Sequence, residues 1–181
     1  MKFGDEQLDL DAIDRHILSL VQENCRLPLA KIGEQVGLSA PAVTERVKKL
    51  EDSGVITGYH AVLNARLLGM DIAAFIGVSI GHPKAIGGFE KAIDALEDVL
   101  ECHHVTGAHT LLLKVKTTNT SSLEELIRRI RSIDGVVQTE TMVVLSTHTE
   151  RLQMPVDEIA PSGKRARRNG GDKNGVHLKS L

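Results

Sequence analysis

Two short apolar repeats at helical spacing, separated by Gly37-Leu38-Ser39, limit the folds open to this chain more than any other feature. Leu29, Ile32 and Val36 recur at the period of one helix face, and so do Val43, Val47 and Leu50. Gly37 ends the first helix, because glycine tolerates the left-handed conformation a sharp exit needs. Ser39 caps the second helix, and Pro41 sits in its first turn, where a missing N–H does no harm. The other faces of that second helix carry Thr44, Arg46, Lys48 and Lys49. A short helix held by its apolar back and presenting a hydroxyl and cations has the build of a helix that enters a DNA groove. Taken alone, those cations would mark an ordinary solvated helix. The order helix, glycine turn, serine cap, helix is what favours duplex DNA. The candidate DNA-binding residues are Ser39, Pro41, Thr44, Arg46, Lys48 and Lys49.

Charge bears on that reading. The whole chain of 181 residues is −2. Residues 1–64 and 65–150 each come to −3, and residues 151–181 to +4. Phosphate neutralisation depends on where cations lie, so a locally basic helix on an acidic body is compatible with DNA binding, and a dimer would double its contacts. The chain has no Trp, one Tyr and three Phe. The core must be aliphatic, and base stacking on aromatic platforms is disfavoured, which counts against single-strand and RNA-recognition modules. Two cysteines, Cys25 and Cys102, are too few for a disulfide framework and suit a reducing compartment. With no apolar signal core and no run of membrane-spanning length, the expected location is the cytoplasm, with no membrane partner.

An earlier helix is expected from about Asp11 to Glu23, with Leu10, Ile13, Ile17, Leu20 and Val21 on one face and Asp9 or Asp11 as cap. Residues 55–63 read as an extended ribbon. Beyond them the rhythm changes to a strand over 73–80, a helix over 87–96, strands over 99–105 and 110–117, a helix over 121–133 capped by Ser121 or Thr120, and a last strand over 136–146. This βαββαβ order is that of a ferredoxin-like split βαβ sandwich. The fold class is α+β: an N-terminal winged helix-turn-helix joined to a C-terminal ferredoxin-like βαββαβ sandwich. The expected domains are 1–60 (helix-turn-helix), 61–72 (linker strand), 73–150 (ferredoxin-like) and 151–181 (a disordered basic tail). Helices cover one sheet face. The other, lined by Val78 or Ile80, Leu112 or Leu113, and Val143 or Val144, needs a partner subunit. The tail carries a basic knot, Lys164-Arg165-Ala166-Arg167-Arg168, read either as a non-specific phosphate contact or as a solvated end without a role.

The segments LDAIDRHIL, VGLSAPAVTERVKKLEDSGVITGY and CHHVTGAHTLLLKVKT together resemble the Lrp/AsnC (feast/famine) family of prokaryotic transcription regulators, over about residues 8–150. The resemblance implies a homodimer assembling to a tetramer or octamer, a pseudo-palindromic double-stranded DNA site, and a small effector, an amino acid, bound between dimers. It also implies the effector residues His104, Thr106, Gly107, Ala108, Thr110 and Met142. In the family the turn matching residues 106–110 commonly ends in Asp. Here that position is Thr110, which removes a partner for a ligand ammonium group.

Two other classes compete. Cys102 and His104 share a strand face, and with His109 across the turn they offer a metal set. The alternative, ordinary histidines on a half-buried strand, is the reading adopted: no metal site and no cofactor besides the effector. No nucleophile–base motif, phosphate loop or paired acid marks an enzyme. The remaining alternatives are an effector-independent DNA-organising protein and a metal-responsive regulator.

Overall fold

The structure is a computed structural model, and it describes residues 9–156. The described residues form two compact units, one of residues 9–59 with 151–156, the other of His60–Glu150. The basic knot at 164–168 lies outside the described residues.

The first unit is built on α1 (Ala12–Glu23), α2 (Leu29–Val36) and α3 (Ala40–Asp52). Their apolar stripes meet in one core of Ile17, Leu18, Ile32, Val43, Val47 and Leu50, all nearly inaccessible. Asp11 caps α1 reciprocally: the Asp14 amide donates to Asp11 Oδ1 at 2.8 Å, and the Asp11 amide to Asp14 Oδ2 at 3.3 Å. Ser39 Oγ accepts from the Ala42 amide at 3.4 Å and starts α3.

The turn between α2 and α3 depends on two glycines. Gly37 adopts φ +72, as a left-handed exit requires. Gly33 lies inside α2, where alanine is ordinarily the better residue. Yet a Cβ at Gly33 would stand 2.4 Å from the Leu38 carbonyl oxygen, which is backbone and has no rotamer to retreat into. The same close approach lets the Leu38 amide donate to the Gly33 carbonyl at 2.9 Å.

The extended ribbon expected over residues 55–63 forms no strand, so the winged part of the expectation is corrected. A strand needs a neighbouring edge for its ladder, and among the described residues this segment has none. Its near end is held by the Ile56 amide donating to the Leu50 carbonyl at 3.0 Å and by Tyr59 Oη donating to Glu51 at 2.9 Å. Burial and the Glu51 carboxylate push the Tyr59 hydroxyl up to about 12, so it stays a donor throughout the neutral range. A second correction concerns the tail. Residues 151–156 do not run free but lie along α1, with Val156 packed on the core of this unit.

The second unit is β1 (Ile72–Ile80), α4 (Ile86–Ile93), β2 (Val99–His104), β3 (Leu111–Thr117), α5 (Thr120–Arg131) and β4 (Val136–Val143). The four strands form one antiparallel sheet in the order β2-β3-β1-β4. Alternate residues Ala74, Ile76 and Val78 of β1 and Leu111, Leu113 and Val115 of β3 pack against Phe89, Ile93, Leu123, Leu126 and Ile130 of the helices. Val78 and Leu113 therefore face the helices. The open face carries Phe75 paired with Met142, Gly77 with Glu140, and Leu112 and Lys114. Asn119 caps α5, not Ser121 or Thr120: its Oδ1 accepts from the Ser122 amide at 3.0 Å, and Ser122 Oγ accepts from the Asn119 amide in return. Arg128, Arg129 and Arg131 end the helix where its dipole favours cations.

The glycine geometry makes a sign prediction. Gly33→Ala improves helix propensity yet lowers the melting temperature of the chain, because the Leu38 carbonyl has to move. Gly37→Ala costs about 1 kcal/mol through its left-handed φ alone. Thermal unfolding followed by circular dichroism checks both. A Gly33→Ala variant as stable as the parent, or more stable, contradicts the close-approach account.

Candidate DNA-binding surface and effector turn

Helix α3 buries Val43, Val47 and Leu50 and leaves Ser39, Pro41, Thr44, Lys48 and Lys49 exposed. By helical period Pro41, Thr44 and Lys48 stand over one another, one turn apart, opposite the buried stripe. The Thr44 hydroxyl donates to the Ala40 carbonyl at 2.9 Å, so towards a ligand it offers only acceptor lone pairs. Glu45 shares this exposed face. Reading for cations passes over it, although a carboxylate can accept from a cytosine amino group in the major groove.

Arg46 is placed differently from the other five. Its Nη1 sits 2.7 Å from Asp11 Oδ2 and 2.7 Å from Asp14 Oδ1, so the guanidinium faces the capped end of α1. The pairing raises the affinity of Arg46 for its proton. The Asp11 carboxyl is held below its ordinary 3.8, first by the Asp14 amide and then by Arg46. A depressed carboxylate stabilises above its unfolded value and loses that contribution only as the pH falls through the lower folded one. The cluster is therefore complete at neutral pH. Its charge is paired inside the unit, where Arg46 pins α1 to α3 with its side chain still 31% exposed.

The effector candidates divide into two groups. Thr106, Gly107, Ala108 and Thr110 form the turn between β2 and β3, with Gly107 at φ +121, a conformation that favours glycine. Thr110 closes the end of the sheet: its amide donates to the Val78 carbonyl at 2.9 Å, and its Oγ1 accepts from the Ile80 amide at 3.1 Å. His104 and Met142 are far from sharing a site in one chain. His104 lies on edge strand β2, on the helix side, with Nε2 2.9 Å from Glu90 Oε1 of α4. Met142 lies on the opposite edge strand, β4, on the open face beside Phe75. An open cleft of about 470 Å³ on that face is lined by Phe75, Lys114, Lys116 and residues 144–150, and by none of the six candidates.

His109, weighed from the sequence as a metal candidate beside Cys102 and His104 and not adopted as one, has other partners. Its ring lies flat over Gly77, where a Cβ would stand 2.3 Å from the imidazole Cδ2. Its Nε2 is 2.8 Å from Glu140 Oε2 and its Nδ1 3.3 Å from Ser79 Oγ. The bare backbone of Gly77 in β1, with Glu140 opposite it, was the available signal. Cys102 faces the helices, and burial together with the Glu90 and Asp94 carboxylates pushes its thiol up, away from the thiolate that binds metals. Among the described residues no three His, Cys, Asp or Glu side chains converge on a point. No helix among them is long and apolar enough to cross a membrane.

Comparison with known proteins follows the same division. Residues 10–51 match the model of the AsnC-type helix-turn-helix domain, and residues 73–154 that of the Lrp/AsnC ligand binding domain. The HTH-type transcriptional regulator FL11 of Pyrococcus abyssi is 36% identical over 150 residues, covering 83% of this chain and 99% of the regulator. The leucine-responsive regulatory protein of Escherichia coli is 36% identical over 140 residues, covering 76% of this chain and 85% of that protein. Among solved structures, a transcriptional regulator from Neisseria meningitidis in complex with L-methionine superposes with a TM-score of 0.80 at 29% identity, covering 83% of this chain and 99% of that one.

The Arg46 cluster separates stability from recognition. Arg46→Ala leaves Asp14, whose side chain is only 10% exposed, without its cation. It should lower the stability of the first unit by about 1 kcal/mol, the upper range for an ion pair that is partly exposed. Lys48→Ala should leave the melting temperature unchanged. Equal melting curves for the parent and Arg46→Ala would remove the pin.

Proposed function

We propose, on the footing that this chain belongs to the Lrp/AsnC family of transcriptional regulators, that it binds duplex DNA through the exposed face of α3 and adjusts that binding to an amino-acid effector. The family and its relatives are regulators, not enzymes. One observation carries the DNA reading: α3 is fixed by its buried stripe and by Arg46, and turns Ser39, Pro41, Thr44, Lys48 and Lys49 outward. A single such helix reads few base pairs. A two-fold dimer places two of them about one DNA turn apart, roughly 34 Å, which asks for a pseudo-palindromic site.

The second unit supports assembly. Its open face carries exposed Phe75 and Met142, and the segment before it exposes Val62 and Leu63. Such apolar surface on a chain this size suits another copy of itself. Because His104 and Met142 stand on opposite edges and opposite faces of one sheet, the proposed effector site needs groups from more than one subunit. The turn at Gly107 offers backbone N–H groups to a carboxylate, and Glu140 stands on the open face near it. Thr110 brings no charge of its own, so the ammonium of the effector must be met by a carboxylate elsewhere. The bound methionine of the Neisseria regulator makes an amino acid the ligand to test. The free cysteines Cys25 and Cys102 suit work in the cytoplasm. The effector acts only so far as it binds one arrangement of subunits better than another.

Two measurements test this reading. Lys48→Ala and Lys49→Ala should each weaken binding to all duplexes and reduce the slope of log affinity against log salt by about 1. Unchanged binding by both variants moves the DNA surface off α3. In a thermal-shift screen of the twenty amino acids, an effector at a hundred times its dissociation constant stabilises by about 2.7 kcal/mol, a shift of several degrees. Gly107→Val should abolish that shift while DNA binding survives. An unaltered dose–response would take the 106–110 turn out of the site.

A further inference from the structure

Helix α3 carries three carboxylates, Glu45, Glu51 and Asp52, on an element whose neighbours in a DNA complex would be phosphates. Glu51 accepts from the Tyr59 hydroxyl at 2.9 Å, and Asp52 is the last residue of the helix. Glu45 is placed otherwise. It lies in the first half of α3, the part that meets base edges when a helix of this kind enters the major groove. At 3.6 residues per turn it is the residue in the middle of α3 most nearly opposite the buried stripe of Val43, Val47 and Leu50. It is exposed, and among the described residues it makes no hydrogen bond and no ion pair. Lys48 and Lys49, three and four residues on, are at the spacing of helix-surface pairs, yet neither takes it. Arg46, its neighbour in sequence, turns away to Asp11 and Asp14.

The adjacent hydroxyl narrows what this spot can recognise. Thr44 donates its proton to the Ala40 carbonyl at 2.9 Å, so Thr44 and Glu45 together present acceptors and no donor. Phosphate oxygens are themselves charged acceptors and repel such a pair. In the major groove the groups that answer it are the amino groups, N4 of cytosine and N6 of adenine. Cytosine shows a donor alone. Adenine sets its N7 acceptor beside the amino group, guanine shows two acceptors, and thymine shows an acceptor and a methyl group. A carboxylate is thus matched by cytosine and opposed, in part or wholly, by the other three.

We propose that Glu45 is a specificity-determining residue of α3, accepting from the N4 amino group of one cytosine in each half-site and rejecting other bases at that position. The inference rests on the proposed DNA-binding reading of α3 and deepens it by naming a base. Rejection is the larger part of the effect. A carboxylate carried into the groove between two rows of phosphates loses water, and only a donor replaces what it loses. Opposite guanine or thymine it meets acceptors and stays unpaired. Glu45 therefore lowers binding to most sequences and lowers it least where cytosine stands, which is selectivity by exclusion. Lys48 and Lys49 supply the attraction to phosphate that this exclusion works against.

The test is selection of duplexes from a randomised pool by the full chain, Glu45→Gln and Glu45→Ala. Fluorescence anisotropy then follows on duplexes carrying each of the four base pairs at the selected position. The full chain should select cytosine at one position of each half-site and lose about tenfold to a hundredfold in affinity when that base is exchanged. Glu45→Gln keeps the shape and adds an amide donor, so its preference should move to adenine, whose N6 and N7 answer both ends of an amide. Glu45→Ala should take all four pairs about equally. Both variants should melt as the parent does, because no partner within the described residues is lost. The same base preferences in the parent and both variants overturn the inference. A uniform gain in affinity on every duplex overturns it too, by making Glu45 a repulsive charge that reads nothing. Uniformly weaker binding with a lowered melting temperature overturns it by making Glu45 a structural residue. Absence of binding by the full chain to any duplex overturns the α3 reading and this inference together. Binding that Lys48→Ala weakens, while the Glu45 variants leave every preference in place, overturns this inference alone.

Discussion

The first unit is organised around one ion cluster, Arg46 between Asp11 and Asp14. Asp11 and Asp14 already cap α1 for each other, so their carboxylates are fixed before Arg46 meets them. The guanidinium then ties the start of α1 to the middle of α3. A recognition helix has to be held rigidly, because a hydrogen bond to a base edge fails outright when the helix is misoriented, whereas a side chain on a phosphate can follow the shift. Hydrophobic burial of Val43, Val47 and Leu50 keeps α3 on the core but is non-directional. The ion cluster adds direction. It also uses up the strongest cation of α3, and that shapes everything the head can do electrostatically.

In the second unit the corresponding constraint is the unequal covering of one sheet. Two helices bury the face of Ala74, Ile76, Leu111, Leu113 and Val115, while Phe75, Leu112 and Met142 face out. His109 partly covers the open face by lying over Gly77, and it can do so only because Gly77 has no side chain. Thr110, one residue on, spends its hydroxyl on the Ile80 amide. The turn that the family resemblance marks for an effector is therefore tied to the sheet by His109 and Thr110, and what it can offer a ligand is backbone and the exposed Thr106. On the proposed reading, recognition of an amino acid here divides into carboxylate capture by this turn and ammonium capture by a carboxylate, and the latter is open to contribution from another subunit.

What is legible in the sequence is what short-range physics decides. Helical period locates α1, α2 and α3, and the small set of capping residues narrows their caps to Asp9 or Asp11 for α1 and to Ser39 for α3. Alternation and turn chemistry lead to the βαββαβ order. One failure is local, the cap of α5 at Asn119 and not at Ser121 or Thr120; the others lie where a partner distant in sequence decides. Arg46 sits beside Lys48 and Lys49 in sequence, but its direction is set by carboxylates 32 and 35 residues away. Residues 55–63 have strand composition but no neighbouring edge. Residues 151–156 have the composition of a tail yet find Gln22 at a separation of 132 residues. At the turn, sequence proximity groups His109 with Cys102, whereas the fold groups it with Gly77 and Glu140, which lie on the other face.

The distribution of cations has a consequence for how such a regulator discriminates. A contact to phosphate contributes the same free energy at every site on the genome, so it deepens specific and non-specific binding alike and leaves their ratio unchanged. On the proposed reading specificity comes from the few groups on α3 that meet base edges, and the exposed set there includes Glu45 and the acceptor side of Thr44 besides the two lysines. On that reading a head with few free cations weakens specific and non-specific binding alike, which leaves the ratio untouched and shortens the time spent on DNA.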